Sequence, residues 1–127
     1  MRRFLFLTFA FALCVGCLHA QPAAAAQTSA DLIFHQLLDA QETKNYDAFV
    51  AHGTTQLKAA LTKTQFDASS DLMIARLKGG CDIDSLGELN QKGFEVYLYR
   101  LRFKDGGDDM LGTMTLKDGQ VAGIYFH

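Results

Sequence analysis

Two groups of side chains in this chain have the types and spacing for chemistry. Asp31, His35 and Asp39 stand four residues apart, which stacks them on one side of a helix if one forms there. A carboxylate in that place can orient the imidazole as a general base. Tyr97 and Tyr99 alternate with Leu98 in a β-prone stretch and so share one face of a strand with Leu101 and Phe103. Two phenols facing an interior can donate hydrogen bonds to a ligand carbonyl or an oxyanion. Against these stand plainer readings: Asp31, His35 and Asp39 as a solvated helix face, and Tyr97 and Tyr99 as core aromatics with their hydroxyls satisfied at the rim. The other face of the same stretch carries Arg100, Arg102 and Lys104, a holder for a carboxylate or phosphate or, more simply, a solvated edge.

Other chemistries lack their residues. His52, before Gly53, sits where a helix end favours a cation. His35, His52 and the final residue His127 stand at no ligand spacing, and Cys81 alone cannot supply a thiolate set, so a metal site is not expected. No Gly-rich phosphate loop follows a strand, and no Gly-x-Ser-x-Gly elbow occurs, which leaves nucleotide and hydrolase readings without their motifs. No cofactor is expected.

The elements that must position these groups begin after an export signal. Arg2 and Arg3 precede an apolar run from Phe4 to Val15, the charged and apolar regions of a secretory leader, shorter than the about 20 residues of a membrane span. Cleavage is expected after Ala20, with Ala25 or Ala26 as nearby alternatives. Residues 1–20 are thus read as signal peptide, 21–29 as a flexible leader of small uncharged residues, and 30–127 as one domain, periplasmic or secreted. Cys14-Val15-Gly16-Cys17 has the outline of a lipobox with Cys14 in place of the usual Leu; membrane attachment would require lipid on Cys17. Loss of Arg2 and Arg3 takes Lys plus Arg from 12 to 10 against 14 Asp plus Glu, so the net charge goes from −2 to −4. An acidic surface argues against nucleic acid as a partner. Only Cys81 survives cleavage, which excludes an intramolecular disulfide.

Ile33, Phe34, Leu37, Leu38 and Ala40 recur at helical spacing and predict a first helix over about Ala30 to Lys44, started by Ser29. Asn45 caps a second, short helix over Tyr46 to His52, stopped by Gly53. Thr54 to Leu61 can add a further turn. Thr62 and Gln65 have the spacing of a capping box, opening a helix with the stripe Phe66, Met73, Leu77 that Gly79-Gly80 ends. From Cys81 onward the period is that of strands: Cys81 to Leu89 with a bulge at Gly87, Phe94 to Lys104, Met110 to Lys117, and Gln120 to His127 after an Asp118-Gly119 hairpin turn. Helices first and antiparallel strands after give an α+β fold.

This order, with Asn45-Tyr46-Asp47-Ala48-Phe49 opening the second helix and Asp118-Gly119-Gln120-Val121-Ala122-Gly123-Ile124-Tyr125-Phe126 closing the chain, resembles the nuclear transport factor 2-like superfamily, and within it the small secreted bacterial members. The resemblance implies a cystatin-like cone: a curved antiparallel sheet around N-terminal helices, with an open end that can form a pocket. It spans isomerases, dehydratases and binding proteins, so it does not set a function. The function expected is a noncatalytic binding module holding a small apolar ligand or a protein partner in or beside the pocket. The alternatives are an isomerase or dehydratase using a pocket carboxylate or His35 as base with Tyr97 or Tyr99 as electrophile, or an assembly accessory of the cell envelope. A homodimer through the far sheet face is also expected, since Phe94, Val96 and Leu98, and Ala122, Ile124 and Phe126, put apolar residues opposite the helix-facing set that includes Val121 and Tyr125.

Overall fold

A computed structural model describes residues 22–127, with side chains from Ala26 onward. The signal expected over residues 1–20 and the Cys17 lipidation site lie outside the described residues. Four helices, α1 (Pro22–Glu42), α2 (Tyr46–Ala51), α3 (Thr55–Ala60) and α4 (Lys63–Lys78), precede four strands, β1 (Cys81–Gln91), β2 (Phe94–Phe103), β3 (Met110–Lys117) and β4 (Gln120–Phe126). The helices pack on one face of a curved antiparallel sheet of order β1-β2-β3-β4, an α+β fold as expected. No helix among the described residues is long and apolar enough to cross a membrane.

The first helix starts eight residues earlier than its apolar stripe implies, inside the segment expected to be a flexible leader. Pro22 stands at the first helical position, where its missing N–H costs nothing, and the following alanines have the highest helix propensity of any residue. Ser29 is therefore within the helix rather than its cap. Of the expected stripe, Phe34, Leu37, Leu38 and Ala40 are buried and Ile33 is partly buried against the core; Ala30 joins them in the core. Lys44, at φ 52°, ends the helix in the left-handed region, and Asn45 N–H donates to Ala40 O at 2.8 Å, closing the terminal carbonyls as a glycine cap would.

Each later helix has its own start. The Asn45 side chain accepts from Ala48 N–H at 3.0 Å, and Thr54 Oγ1 accepts from Leu57 N–H at 3.2 Å. At Thr62 the full box forms: Gln65 N–H donates to Thr62 Oγ1 at 3.2 Å and Thr62 N–H to Gln65 Oε1 at 3.0 Å. Because α4 contributes Phe66, Met73 and Leu77 to the core, fraying it is costly. Thr62→Ala is expected to lower stability by about 0.5–2 kcal/mol, measured by urea unfolding; an unchanged midpoint would place the energetic start of the helix elsewhere.

Gly80, at φ 102°, turns the chain from α4 into β1. There the register slips between Ser85 and Gly87, and Gly87 takes φ 132°, the bulge expected from the sequence. A second slip, between Thr115 and Leu116 opposite β4, corrects the expected facing of that strand. Ala122 is the extra residue, so Val121 pairs with Leu116 while Gly123 pairs with Thr115. Val121 therefore joins Ile124 and Phe126 on the helix side, and Tyr125 points away. Both bulges sharpen the local twist and help the sheet curl over the helices.

The core is aromatic. Phe34 stacks on Tyr99 with ring centroids 3.9 Å apart, and Phe66 meets Phe49 at 4.9 Å and Tyr46 at 5.8 Å. Arg76 fastens the end of α4 to the β2–β3 turn: its guanidinium lies 3.8 Å over the Phe103 ring, its Nε donates to Asp105 Oδ2 at 2.8 Å, and Nη2 to Asp108 O at 2.7 Å.

Candidate functional site

The sequence-derived base does not assemble. His35 and Asp39 are exposed, and Asp31 is half-buried. Four residues advance a helix by about 40° more than a full turn, so Asp31 and Asp39 diverge by about 80° around the axis. Asp31 turns toward the sheet, where its Oδ1 accepts from Gln27 Nε2 at 2.8 Å. Gln27 also donates to Ser85 Oγ at 3.0 Å. Among the described residues no hydrogen bond joins His35 to either aspartate.

Tyr97 and Tyr99 lie in the core, each 1% exposed. The Tyr97 hydroxyl donates to Glu95 Oε2 at 3.2 Å. Burial, reinforced by the Glu95 carboxylate, pushes its pKa up to about 12. Tyr99 is pushed higher still, first by burial and then by the nearby Asp31 carboxylate. That carboxylate does not meet it in hydrogen-bond geometry, and the Tyr99 hydroxyl is left without a partner. These phenols keep their protons at any ordinary pH.

The basic stripe of β2 is matched by β1. Arg100 Nη2 contacts Asp84 Oδ2 at 2.8 Å, and Arg102 Nε reaches the same oxygen at 3.2 Å; Lys104 Nζ lies 3.9 Å from Asp82 Oδ1. The guanidinium of Arg100, ahead of that of Arg102, holds the Asp84 carboxyl below its usual range. Cys81 is partly buried and packs against the core, with its thiol pKa raised chiefly by that burial, the condition of an inert thiol.

A cavity of about 410 Å³ opens elsewhere, between the helices and the β4 end of the sheet. Phe49 of α2, Leu57 of α3 and Met73 of α4 form its helical walls, and Ile124, Tyr125 and Phe126 form its sheet wall. The short capped helices create the space: α3 is one and a half turns long, buries no side chain fully, and leaves Leu57 and Leu61 on the cavity. At the mouth, Leu72 is 80% and Tyr125 61% exposed. One polar group lies deep. Gln41 lines the cavity, is buried, and its Oε1 has no hydrogen-bond partner. Neither a carboxylate nor a histidine is among the described residues lining the cavity.

Neither Tyr97 nor Tyr99 lines this cavity. One signal for it was present in the sequence. Gln41 continues the Phe34, Leu37, Leu38 stripe at helical spacing, so a polar side chain occupies a core position, and a buried polar group needs a partner. The remaining wall depends on the facing of β4, which the bulge at Ala122 decides.

No protein-family model matches the chain, and no curated protein matches it. Among solved structures it is similar to an uncharacterized cystatin-fold protein from Novosphingobium aromaticivorans, at a TM-score of 0.43 and 10% identity, over 76% of this chain and 95% of that one.

Proposed function

We propose that this protein is an exported, noncatalytic binding module of the nuclear transport factor 2-like kind, whose site is the apolar cavity between α2, α3, α4 and β4. The observation that carries this reading is the lining: apolar walls, a rim where the exposed Gln65 and Ser69 stand beside Leu72 and Tyr125, and a single deep amide, Gln41. Such a site has the size and character of ligand pockets. A general acid or base acting there would need a titratable group against its substrate, and the titratable candidates His35, Asp31 and Asp39 lie elsewhere. The fluorophore N-phenyl-1-naphthylamine is expected to bind saturably, one per chain, and Leu57→Trp, which fills the cavity from α3, is expected to weaken it at least tenfold. Fluorescence titration measures both. No saturable binding would overturn the proposal. Export rests on the Arg2-Arg3 and Phe4–Val15 pattern, and an intact mass for the exported chain that begins at Gln21 is the expected result; a lipid on Cys17 would place it on a membrane instead.

A second copy is the proposed cover for the far face of the sheet. Leu89, Val96, Leu98 and Leu111 share that face with Tyr125, and Leu89 is 46% and Leu111 38% exposed. Apolar patches of this kind mark contact surfaces, and the paired charges of Arg100, Arg102 and Asp84 bound it on one side. Light scattering is expected to give a dimer that Val96→Arg converts to monomer. A monomer at all concentrations would remove the dimer.

A further inference from the structure

One wall of the cavity is β4, the strand at the edge of the sheet. Leu111 and His127 exchange both backbone hydrogen bonds at 2.9 Å, and in an antiparallel ladder such pairs alternate with pairs whose N–H and C=O groups point away from each other. Tyr125 therefore bonds inward to Thr113, while the backbone groups of Ile124 and Phe126 point out of the sheet at its β4 edge. Among the described residues nothing outside the sheet bonds to them. Ile124 and Phe126 lie on one face of β4 and Tyr125 on the other, yet all three line the cavity, so the cavity runs along this open edge.

The same edge already makes a single-residue parallel bridge at its other end. Val121 N–H donates to His52 O at 2.7 Å and Val121 O accepts from Thr54 N–H at 2.9 Å, with Gly53 bridged in parallel to Val121. The two edges of the sheet are also unlike. Both edges carry a bulge, but β1 also carries Asp82, Asp84 and Glu88, charges that discourage strand addition, whereas Gly123-Ile124-Tyr125-Phe126 has neither charge nor proline.

We propose that the open edge of β4 takes a short extended peptide of a partner protein as an added strand, with apolar side chains at alternate positions entering the cavity between α3 and α4. This names the occupant of the site in the binding reading above and rests on it. The outward N–H and C=O groups of Ile124 and Phe126 supply main-chain bonds, and the cavity reads the side chains, roughly 6–7 Å apart along the added strand. A second copy is the poorer occupant, because its own Ile124 and Phe126 are packed against its core and have no side chains to give to the cavity.

The test uses a capped pentapeptide with leucine at its second and fourth positions and threonine elsewhere, and two N-methylated forms, one blocked at the amides of residues one, three and five, the other at residues two and four. The parent is expected to bind and to slow amide hydrogen exchange at Ile124 and Phe126 at least tenfold. One methylated form is expected to bind like the parent and the other at least tenfold more weakly, since only one edge of the peptide meets β4. Equal binding by both methylated forms, or binding without slowed exchange at Ile124 and Phe126, overturns strand addition. So does slowed exchange on raising the protein concentration without peptide, which would assign the edge to a second copy. If N-phenyl-1-naphthylamine binds and the peptide does not, the strand proposal fails while the binding reading stands. If neither binds, both fail.

Discussion

Phe34→Ala is expected to cost about 3–5 kcal/mol of stability, the range for deleting a fully buried aromatic ring. Phe34 is 0% exposed, and its ring is held on two sides. Tyr99 stacks on it at 3.9 Å, and the β3 backbone at Gly112 lies so close that a Cβ there would meet Phe34 Cζ at 2.6 Å and Leu101 Cδ1 at 3.0 Å. Glycine is required at residue 112 by this approach and not by its backbone angles. Gly112→Ala is accordingly expected to destabilise by about 1–3 kcal/mol through overpacking. The two changes are complementary, since the space left by the ring accepts the added methyl. The double variant should therefore be more stable than the sum of the single effects implies, by about 0.5–3 kcal/mol. Urea unfolding of the four proteins measures this, and strict additivity would contradict the contact.

The second large effect is a loss of stability in alkali. Tyr97 has its pKa raised from 10.0 to about 12 in the folded protein, and Tyr99 is raised further, both chiefly by burial. The folded state therefore holds protons that the unfolded chain releases. The stability linked to this is complete below pH 10, declines as the pH rises from about 10 to about 12 for Tyr97, and continues to decline beyond that for Tyr99. Each phenol contributes a slope of up to about 1.4 kcal/mol per pH unit in its window. Urea midpoints at pH 8 and pH 11 should differ markedly, and the difference should shrink in Tyr97→Phe and again when Tyr99→Phe is added. Tyr99→Phe also removes a buried hydroxyl that has no partner, so near neutral pH it is expected to be harmless or stabilising. A pH-independent midpoint would mean that neither phenol is as buried as described.

The sequence reveals most where one residue's local chemistry decides the structure. The Thr62 capping box, the Gly87 bulge and the alternation of Tyr97, Tyr99, Leu101 and Phe103 all depend on neighbours within a few positions, and all appear where expected. The start of α1 was obscured because alanines preceded by a proline satisfy both a leader and a helix, and composition alone does not separate them. The facing of β4 differs from the simple alternation for another reason. Ala122 is an ordinary strand residue, and its role as the extra residue is set by the pairing of β3 with β4. Everything downstream of that bulge, including which side chains reach the cavity, depended on it. Asp31, His35 and Asp39 showed a third limit: spacing fixes the angle around a helix, but what each angle faces depends on where the helix packs.

The strand order β1-β2-β3-β4 also governs the sequence of events in folding. Each of β2, β3 and β4 pairs with the strand before it across a short connection, residues 92–93, 104–109 and 118–119, so the sheet can zip from hairpin to hairpin with little loop to close. Docking of α1 is the opposite case, because the backbone that receives Phe34 is at Gly112, near the far end of the chain. When the chain is delivered N-terminus first, α1 can pack on α2 and α4 early, but the Phe34 ring is not fully covered until Tyr99 and Gly112 have emerged. At about 5–20 residues per second this leaves a large aromatic side chain incompletely covered for several seconds. Apolar surface left open during that interval favours aggregation until the sheet closes over it.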